Sequence, residues 1–483
     1  MLFLIRLSTG QHKIAAPMWK IGKIVLGIGL VLTGCSKRPV AVAPVVPADL
    51  PEFRQGLAAL HEFTPEGYAR AVEHFQRASD LAPEKCEYRL QAAQASLFLA
   101  LELKLNSEDF RAAWERGADP ECAPGTAFAI RLDAFRSLDD FGSRDRTILQ
   151  KINQAIELAP ADAFNWVLRW KINPTATRQE NSILKAAEIA PELAIVQYEL
   201  GNYMLVTGQY PEARRAFQRG LELSPRHFRS MIGLAQAISS IDEDEDVEAL
   251  YKRAVDIAPD FLEGRMLLGD YYSGLEENEL AREHYLAVLK RNPRFDIAQL
   301  RLGLSYLQTS GIDDSEKAFR TAIEINPSSF EAYYYLGNIW LIRGDLEKAR
   351  AQYEESLKFV LNFPEAVYAL GTVFFRQGQT DRALEEFEKV IRMNRILADA
   401  YFSRAAIRAQ RGQFVETIDD CNLAIGLYDG QLVSSLKSIE QYEMRGLTRK
   451  VEAERKRKER IEINMERARQ LKMKAEDESL KRP

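Results

Sequence analysis

The side chains best suited to acid–base or metal chemistry are few in this sequence and lie far apart. Its five histidines are His12, His61, His74, His227 and His284. Metal sites and catalytic triads bring such residues together at defined spacings, and the sequence contains no HExxH, phosphate-binding loop or glycine-rich dinucleotide motif. We therefore predict no metal, no cofactor and no enzymatic activity, and we interpret each histidine after His12 as a surface or interface residue.

Two further patterns resemble reactive or ion-binding sites. Ser434 and Lys437 have the SxxK spacing of certain acyl-transfer enzymes, but the companion motifs are missing and the spacing arises by chance in a lysine-rich helix. The acidic run Asp242–Asp246 could offer oxygen ligands to calcium, although calcium loops place such ligands at alternate positions around a glycine. We interpret the run as a solvated turn before a helix whose dipole favours negative charge.

The composition is that of a folded chain without a strong electrostatic field. Hydrophobic residues make up 46% of the sequence and charged residues 28%, as in ordered proteins. The 65 Lys and Arg residues oppose 70 Asp and Glu residues, so no global positive potential attracts nucleic acid. We predict that partners are recognised locally and that nucleic acid is not among them.

The segment 1–34 stands apart from the rest of the chain, with four cations and no carboxylate. The apolar run from Ile24 to Leu32 is shorter than the about 20 residues that cross a membrane core, but it suits the apolar part of a secretory signal. It ends in the tetrapeptide Leu-Thr-Gly-Cys, whose last residue is Cys35. This arrangement resembles the lipobox of bacterial lipoproteins. An uncleaved membrane anchor is the alternative interpretation.

The lipobox resemblance implies a lipid-anchored protein. In that family the signal is cut before the cysteine, so Cys35 would become the lipidated first residue whether translation starts at Met1 or at Met18. Two or three acyl chains are enough for stable anchoring. Ser36 stands where an Asp would favour retention in the inner membrane, which implies the bacterial outer membrane, with the folded body in the periplasm.

Beyond this segment, residues of the same type recur at one fixed interval, the distance along the chain from Gly201 to Ala235. Three series of residues show this interval, and we call each series a column. A small residue returns at Gly201, Ala235, Gly269, Gly303, Gly337, Gly371 and Ala405. Proline returns at Pro191, Pro225, Pro259, Pro293 and Pro327, and a bulky column runs Ile183, Phe217, Tyr251, Tyr285, Phe319, Tyr353 and Phe387 before it ends at Cys421. Because proline is only 19 of 483 residues, this regularity indicates a repeat array rather than coincidence.

One unit, AIVQYELGNYMLVTGQYPEARRAFQRGLELSPRH at residues 194–227, resembles the tetratricopeptide repeat. The resemblance implies two antiparallel helices that approach closely at Gly201, turn at Gly208 and pack Phe217 against the next repeat. Pro225 ends the second helix because proline cannot continue the hydrogen-bond ladder. We therefore predict an all-α fold, a right-handed superhelical solenoid of about eleven such helix–turn–helix repeats.

The repeats divide the chain into five segments. These are the signal peptide (1–34), the lipidated cysteine with a proline-rich tether (35–51), N-terminal repeats that diverge near 120–159 (52–159), the regular array (160–431) and a charged C-terminal helix or tail (432–483). Residues 449–483 carry thirteen cations and eight anions. We expect a helix that caps or leaves the solenoid, followed by a solvated, partly frayed end, and a basic arm for nucleic acid or anionic lipid is the alternative.

The remaining cysteines have different expected roles. Cys86 and Cys122 occupy nearly equivalent places in consecutive units, so they could pair in an oxidising periplasm. Equivalent positions in adjacent repeats, however, usually exceed the about 5.5 Å between α-carbons that a disulfide needs, and both outcomes stay open. Cys421 lies in the bulky column, where we expect a buried, small apolar side chain.

The resemblance also predicts a binding surface, because positions two, five, nine and twelve of each unit line the concave face in this family. The fifth and ninth positions here are Tyr198 with Asn202, Met266 with Asp270, Leu300 with Leu304, Tyr334 with Asn338, and Tyr368 with Thr372. The lysine and asparagine clamp that some relatives use to hold a terminal carboxylate is absent. The aromatic and amide side chains instead favour an extended peptide, unless the tyrosines merely shield the inner surface.

Two functions are compatible with this organisation. The favoured one is a non-enzymatic, protein-binding scaffold or assembly lipoprotein of the bacterial envelope, which gathers parts of a secretion, pilus or polysaccharide-export system. The alternative is a substrate-recruiting or regulatory partner of a separate enzyme such as a glycosyltransferase, because no residue range is left for a transferase domain. The oligomeric state is left open.

Overall fold

The computed structural model describes residues 49–60, 62, 64–85, 88–89, 91–96, 130, 146–172, 181–241, 247–394 and 396–481. The predictions for Cys35, Cys86, Cys122 and the acidic run 242–246 lie outside these residues. Within them, all regular secondary structure is helical, and no helix is both long and apolar enough to cross a membrane. The predicted all-helical repeat solenoid is confirmed.

The helices follow one another as antiparallel neighbours. The first part of the chain contains α1 (Asp49–Leu60), α2 (Pro65–Leu81), α3 (Arg146–Leu158), α4 (Ala163–Ile172) and α5 (Ser182–Ile189). The regular array contains α6 (Ala194–Val206), α7 (Tyr210–Leu223), α8 (Phe228–Ile241), α9 (Val247–Ile257), α10 (Leu262–Gly274), α11 (Asn278–Arg291), α12 (Asp296–Gln308), α13 (Ile312–Ile325), α14 (Phe330–Ile342), α15 (Leu346–Phe359), α16 (Pro364–Arg376), α17 (Thr380–Met393), α18 (Ala398–Gln410), α19 (Phe414–Met444) and α20 (Thr448–Leu480). From α6 to α18, the first helix of each pair begins at the same interval after the previous one, and this interval is that of the sequence columns.

A glycine–aromatic contact joins the two helices in five pairs of the array, at Gly201, Gly269, Gly303, Gly337 and Gly371. A Cβ atom placed on Gly303 would lie 2.5 Å from the ring of Phe319, and one placed on Gly337 would lie 2.5 Å from the ring of Tyr353. The ring of Phe217 is enclosed on two sides, since a Cβ on Gly201 of its own repeat would lie 2.6 Å away and one on Gly233 of the next repeat 2.4 Å away. The bulky column therefore packs within its own repeat as well as against its neighbour.

In six pairs between α6 and α19, the turn between the two helices contains one residue with a left-handed backbone. Gly208, Gly344, Gly378 and Gly412 have φ angles between 71° and 81°, and glycine takes this conformation without steric cost. Glu276 is in the same conformation at φ 58°, so packing of the flanking helices imposes the turn even on a residue with a Cβ.

The prolines of the sequence pattern prove dispensable for the turns between pairs. In the two later units whose column lacks proline, α15 still ends with the Val360 amide donating to the Ser356 carbonyl at 3.3 Å, and α17 with the Asn394 amide donating to the Val390 carbonyl at 2.7 Å. The same bond forms at the end of α7, just before its proline, from the Ser224 amide to the Gly220 carbonyl at 2.9 Å. Side-chain packing therefore ends these helices, and proline only reinforces the end.

Arg404, which replaces the leucine usual at its position, is explained by a partner in the next helix. Its guanidinium donates from Nε and Nη2 to the two carboxylate oxygens of Asp420 at 2.9 and 2.7 Å, and Arg408 donates to the same carboxylate at 2.9 Å. Asp420 is only 1% exposed, so the pair of arginines balances a charge that would be costly if buried alone. Cys421, beside it, is fully buried as predicted, and burial raises the pKa of its thiol to about 11.

The C-terminal segment differs from the expectation of a partly frayed end. α20 is one continuous helix from Thr448 to Leu480 that lies against α19 as the second arm of a long hairpin. Gly446 makes the turn with φ 71°, one repeat interval after Gly412, so the repeat's turn persists beyond the array. Ile461, Met465 and Ala468 are buried with residues of α18 and α19, and this apolar face of α20 caps the last repeat.

The glycine–aromatic contact predicts a strong effect of one methyl group. We expect Gly303→Ala to lower the free energy of unfolding by about 1–3 kcal/mol, because the added Cβ must displace the Phe319 ring. The control is Gly426→Ala, since a Cβ at Gly426 in α19 meets no atom within 4 Å; that variant should be neutral or gain about 0.5–1 kcal/mol from better helix propensity. Hydrogen exchange of residues 296–325 and urea unfolding measure both variants, and equal effects would contradict the packing argument.

Candidate protein-binding groove

The first candidate site is a cavity of about 340 Å³ formed by the first helices of successive repeats. It is lined by Lys171, Tyr198, Glu199, Asn202, Arg229, Ile232, Gly233, Gln236, Phe261, Glu263 and Leu267. Helices α4, α6, α8 and α10 supply these residues, apart from Phe261 just before α10, because every first helix turns the same face inward when identical units stack. Tyr198 and Asn202, which were predicted for the groove, both line this cavity.

An ion pair forms one wall of this first cavity. The Lys171 ammonium lies 2.5 Å from Glu199 Oε1, and the Asn202 amide nitrogen lies 3.5 Å from Glu199 Oε2. The side chain of Glu199 is 5% exposed, so its charge depends on Lys171 for compensation. The Glu199 carboxylate therefore holds the Asn202 amide and the Lys171 ammonium in place on this wall.

A buried histidine lies behind Tyr198. The ring centroids of Tyr198 and His227 are 5.2 Å apart in an edge-on arrangement, and His227 Nδ1 lies 2.6 Å from the Ser230 hydroxyl oxygen. His227 is fully buried, and burial, reinforced by the nearby Arg229, lowers its pKa to about 3. The imidazole is therefore neutral at physiological pH and serves as packing for Tyr198.

A second cavity of about 500 Å³ continues along the array from the first. It is lined by Asp260, Phe261, Leu262, Glu263, Met266, Leu267, Asp270, Asn292, Phe295 and Ile297. Phe261, Glu263 and Leu267 line both cavities, so the two adjoin, and together we call them the groove. The guanidinium of Arg229 lies 4.4 Å from the centre of the Phe261 ring, where the polar first cavity meets the more apolar second one.

Polar side chains at the ninth position serve the core as well as the groove. The Tyr285 hydroxyl donates to Asp270 Oδ1 at 2.8 Å, and the Tyr353 hydroxyl donates to Asn338 Oδ1 at 2.7 Å. Burial and the Asp270 carboxylate raise the pKa of Tyr285 above its usual value. In these two repeats, where the bulky column is tyrosine, the ninth position therefore carries the acceptor that the hydroxyl needs.

The structure brings four of the ten predicted groove residues to the groove, namely Tyr198, Asn202, Met266 and Asp270. The other six lie further along the array. Leu300 and Leu304 belong to the apolar cluster around Phe319. Tyr334 and Tyr368 pack in the cluster around Phe387, Asn338 accepts from Tyr353, and the Thr372 hydroxyl donates to the Tyr368 carbonyl at 3.1 Å.

Several groove residues were not on the predicted list although their positions follow the same rule. Arg229 and Glu263 are second residues of their units, and Lys171 is the twelfth residue of the unit that begins at 160. Positions two and twelve line the concave face in this family, so tabulating them with positions five and nine would have found all three. Glu199 is the sixth residue of its unit, which is not one of the positions that line the concave face in this family, so the repeat pattern did not predict it.

The other side chains considered for chemistry have structural roles within the described residues. His74 Nδ1 lies 2.8 Å from Glu52 Oε2, and His284 stacks on Tyr272 with ring centroids 5.5 Å apart. Ser434 and Lys437 are both exposed on α19. No cluster of three or more potential metal ligands is found in the part of the chain that the structure describes.

The buried His227 predicts that acid loosens the wall of the groove. Its pKa is lowered on folding, so its contribution to stability is complete above the unfolded value of 6.5 and declines as the pH falls toward 3. Between pH 7 and pH 5 we expect a loss of about 2 kcal/mol. The measurement is hydrogen exchange of residues 194–241 at both pH values in the wild type and in His227→Gln. If the variant shows the same pH dependence as the wild type, another group is responsible.

Comparison with known proteins identifies the repeats. Models described as tetratricopeptide repeat match residues 194–227, 266–311, 300–360 and 368–431. No curated protein matches the chain.

Solved structures resemble parts of the array. A crystal structure of MamA is 24% identical, with a TM-score of 0.31, and the match covers 34% of this chain and 96% of that one. A tetratricopeptide repeat protein from Parabacteroides merdae ATCC 43184 is 18% identical, with a TM-score of 0.42, over 48% of this chain and 93% of that one. MamA from Desulfovibrio magneticus RS-1 is 16% identical, with a TM-score of 0.32, over 34% and 94%. The matched repeat models, together with helix pairs that recur at a constant interval, show that this chain contains an array of tetratricopeptide repeats.

Proposed function

We propose that the protein is a scaffold that holds an extended segment of a partner protein in the groove. Tetratricopeptide-repeat proteins act as protein-interaction scaffolds, and the observation that carries the proposal here is that two adjoining cavities share the lining residues Phe261, Glu263 and Leu267. Cavities of this size are within the range of specific ligand sites. A trough that is polar at one end and apolar at the other suits a peptide whose side chains differ along its length.

The lining residues indicate how such a segment is held. Asn202 can pair with the backbone amides of an extended peptide, and Tyr198 and Phe261 offer rigid apolar surface at little entropic cost. Beyond Phe261, the side chains of Met266 and Phe295 form the apolar part of the groove, which suits an aliphatic or aromatic anchor. The groove lining carries two cations, Lys171 and Arg229, against the four carboxylates of Glu199, Asp260, Glu263 and Asp270. This excess of negative charge disfavours an acidic segment.

We further propose that the scaffold is a lipoprotein. The lipobox at Cys35 and the tether that follows support an anchor in the outer membrane, with the array in the periplasm. There it would gather components of an envelope machine of the secretion, pilus or polysaccharide-export kind. A tether of polyproline-like chain spans about 3 Å per residue, which would hold the array clear of the bilayer surface.

Site-specific photocrosslinking tests the groove. With a photoreactive phenylalanine analogue at position 202, envelopes of the native cell should yield one dominant crosslinked protein. The same analogue at position 215, on the exposed outer face of α7, should not yield it. Removing Asn202 and Glu263 together as alanines should weaken capture of that protein by about tenfold or more, as for groups central to an interface.

The matched control for this double variant is Gln209→Ala with Glu222→Ala, which removes one amide and one carboxylate from exposed positions outside the groove. This control should capture the partner as well as the wild type does. Equal crosslinking from positions 202 and 215, or undiminished capture by the groove variant, would contradict the proposed binding site.

The lipid anchor is tested separately by metabolic labelling. We expect the wild type to incorporate palmitate and to sediment with the outer membrane, because the thiol of Cys35 is the acceptor of the lipid. Cys35→Ser should lose both the label and the membrane association, whereas Cys421→Ser should keep the label. Palmitate that persists in Cys35→Ser would refute the lipoprotein proposal.

A further inference from the structure

The C-terminal hairpin reaches back to an earlier part of the array. In the preceding repeats the second helix ends at or near the proline column, but α19 continues through the corresponding Asp429 to Met444. A helix of 31 residues is about 46 Å long. The tip of the hairpin, at Gly446, therefore lies far from the repeat in which α19 begins.

Ion pairs join this tip to the repeats that begin at residues 228 and 262. The Arg449 guanidinium lies 2.5 Å from Glu248 Oε2 and 3.1 Å from Glu277 Oε1. The Glu276 carboxylate lies 3.4 Å from the Lys456 ammonium and 3.2 Å from the Arg460 guanidinium. We call these four pairs the latch. Glu276 is the residue forced into the left-handed turn between α10 and α11, which points to a fixed place for its carboxylate.

The tip also forms a wall beside the groove. A cavity of about 400 Å³ lies between the array and the hairpin, with Leu267 and Asp270 on the array side and Tyr442 and Lys450 on the hairpin side. Leu267 lines this cavity and both parts of the groove, and Asp270 lines this cavity and the apolar part. The hairpin tip therefore stands at the edge of the surface on which a partner segment would lie.

We propose that the C-terminal hairpin is an electrostatic latch that closes the groove and must release before a partner segment can enter. Repeats in a solenoid mainly contact their immediate neighbours, so the array can flex, whereas the latch ties together residues 184 and 201 positions apart. The cations of the latch are about half exposed or more, so salt weakens the pairs. The apolar cap around Met465 stays on the last repeat while the array opens away from the tip. The regulatory part of this inference depends on the proposed peptide-binding function.

Charge reversal tests the latch without reference to any partner. Ala453 lines the same cavity from the hairpin side and is partly buried, so Ala453→Cys provides a shielded thiol for modification by a maleimide–polyethylene glycol. The parent protein, with its native cysteines, gives the background rate. In Arg449→Glu with Arg460→Glu, we expect modification at low salt to be about tenfold faster, since each exposed pair shifts an equilibrium by about 1.5- to 5-fold. We call this charge-reversed variant the reversed protein, and the cysteine variant that keeps Arg449 and Arg460 the unreversed protein. One molar salt should raise the modification rate of the unreversed protein toward that of the reversed protein.

Two further variants separate the latch from general effects of charge. Adding Glu276→Arg with Glu277→Arg to the reversed protein restores opposite charges at the 449–277 and 460–276 pairs, while the 449–248 and 456–276 pairs are like-charged. Modification should therefore slow to a rate between those of the reversed and unreversed proteins. Arg469→Glu with Lys472→Glu makes the same change of charge on the same helix, where the ion partners Glu466 and Glu476 belong to α20 itself. This control should leave the rate unchanged. Equal rates in the unreversed and reversed proteins, or equal acceleration in the control, overturn the latch.

The crosslink from position 202 distinguishes failure of the latch from failure of the groove. If the latch governs entry, the reversed protein gives a higher crosslinking yield and the charge-swapped protein gives a yield between those of the reversed and unreversed proteins. Faster modification with an unchanged yield overturns the regulatory inference but leaves the groove in place. Absence of a specific crosslink in every variant overturns the proposed function itself, and with it the inference that the latch regulates it.

Discussion

The close contact between a glycine on the first helix and an aromatic ring on the second is the constraint on which this structure depends. A Cβ at Gly303 or Gly337 would come within 2.5 Å of the ring opposite, so the two helices approach as closely as their backbones allow. Because Phe217 touches glycines in two successive repeats, the same contact that forms a pair also stacks it on the next. The first helices α4, α6, α8 and α10 thereby present side chains to the same groove.

Polar groups occur in this packing where each has a specific partner. Two tyrosines of the bulky column donate to Asp270 and Asn338, and Asp420 receives two arginines at once. These arrangements explain residues that depart from the repeat pattern. One of them also links core and groove, since a substitution of Asp270 alters both the lining of the groove and the hydrogen bond of the buried Tyr285.

The candidate groove and the proposed latch lie side by side but are held together by different interactions. The groove walls come from neighbouring repeats, whose mutual packing is extensive and apolar. The hairpin tip is instead held by partly exposed ion pairs, which are individually weak and sensitive to salt. A solenoid stabilised by contacts between neighbours can keep its repeats folded while a contact between distant repeats opens. Access to the groove can therefore change without unfolding of the repeats.

The sequence by itself determined the helix pairs, their constant interval and the contacts inside each repeat, because these interactions join residues close together in the chain and recur in phase. It also placed Tyr198, Asn202, Met266 and Asp270 on the groove. Only the tertiary structure decided that the charged C-terminal segment is a continuous helix whose tip meets three glutamates of the array, Glu248, Glu276 and Glu277. That contact depends on the length of α19 and on the curvature of the array, to which every repeat interface contributes a small rotation. A local sequence pattern does not reveal the total of these small rotations. The contact between the hairpin and distant repeats could therefore not be predicted from the sequence.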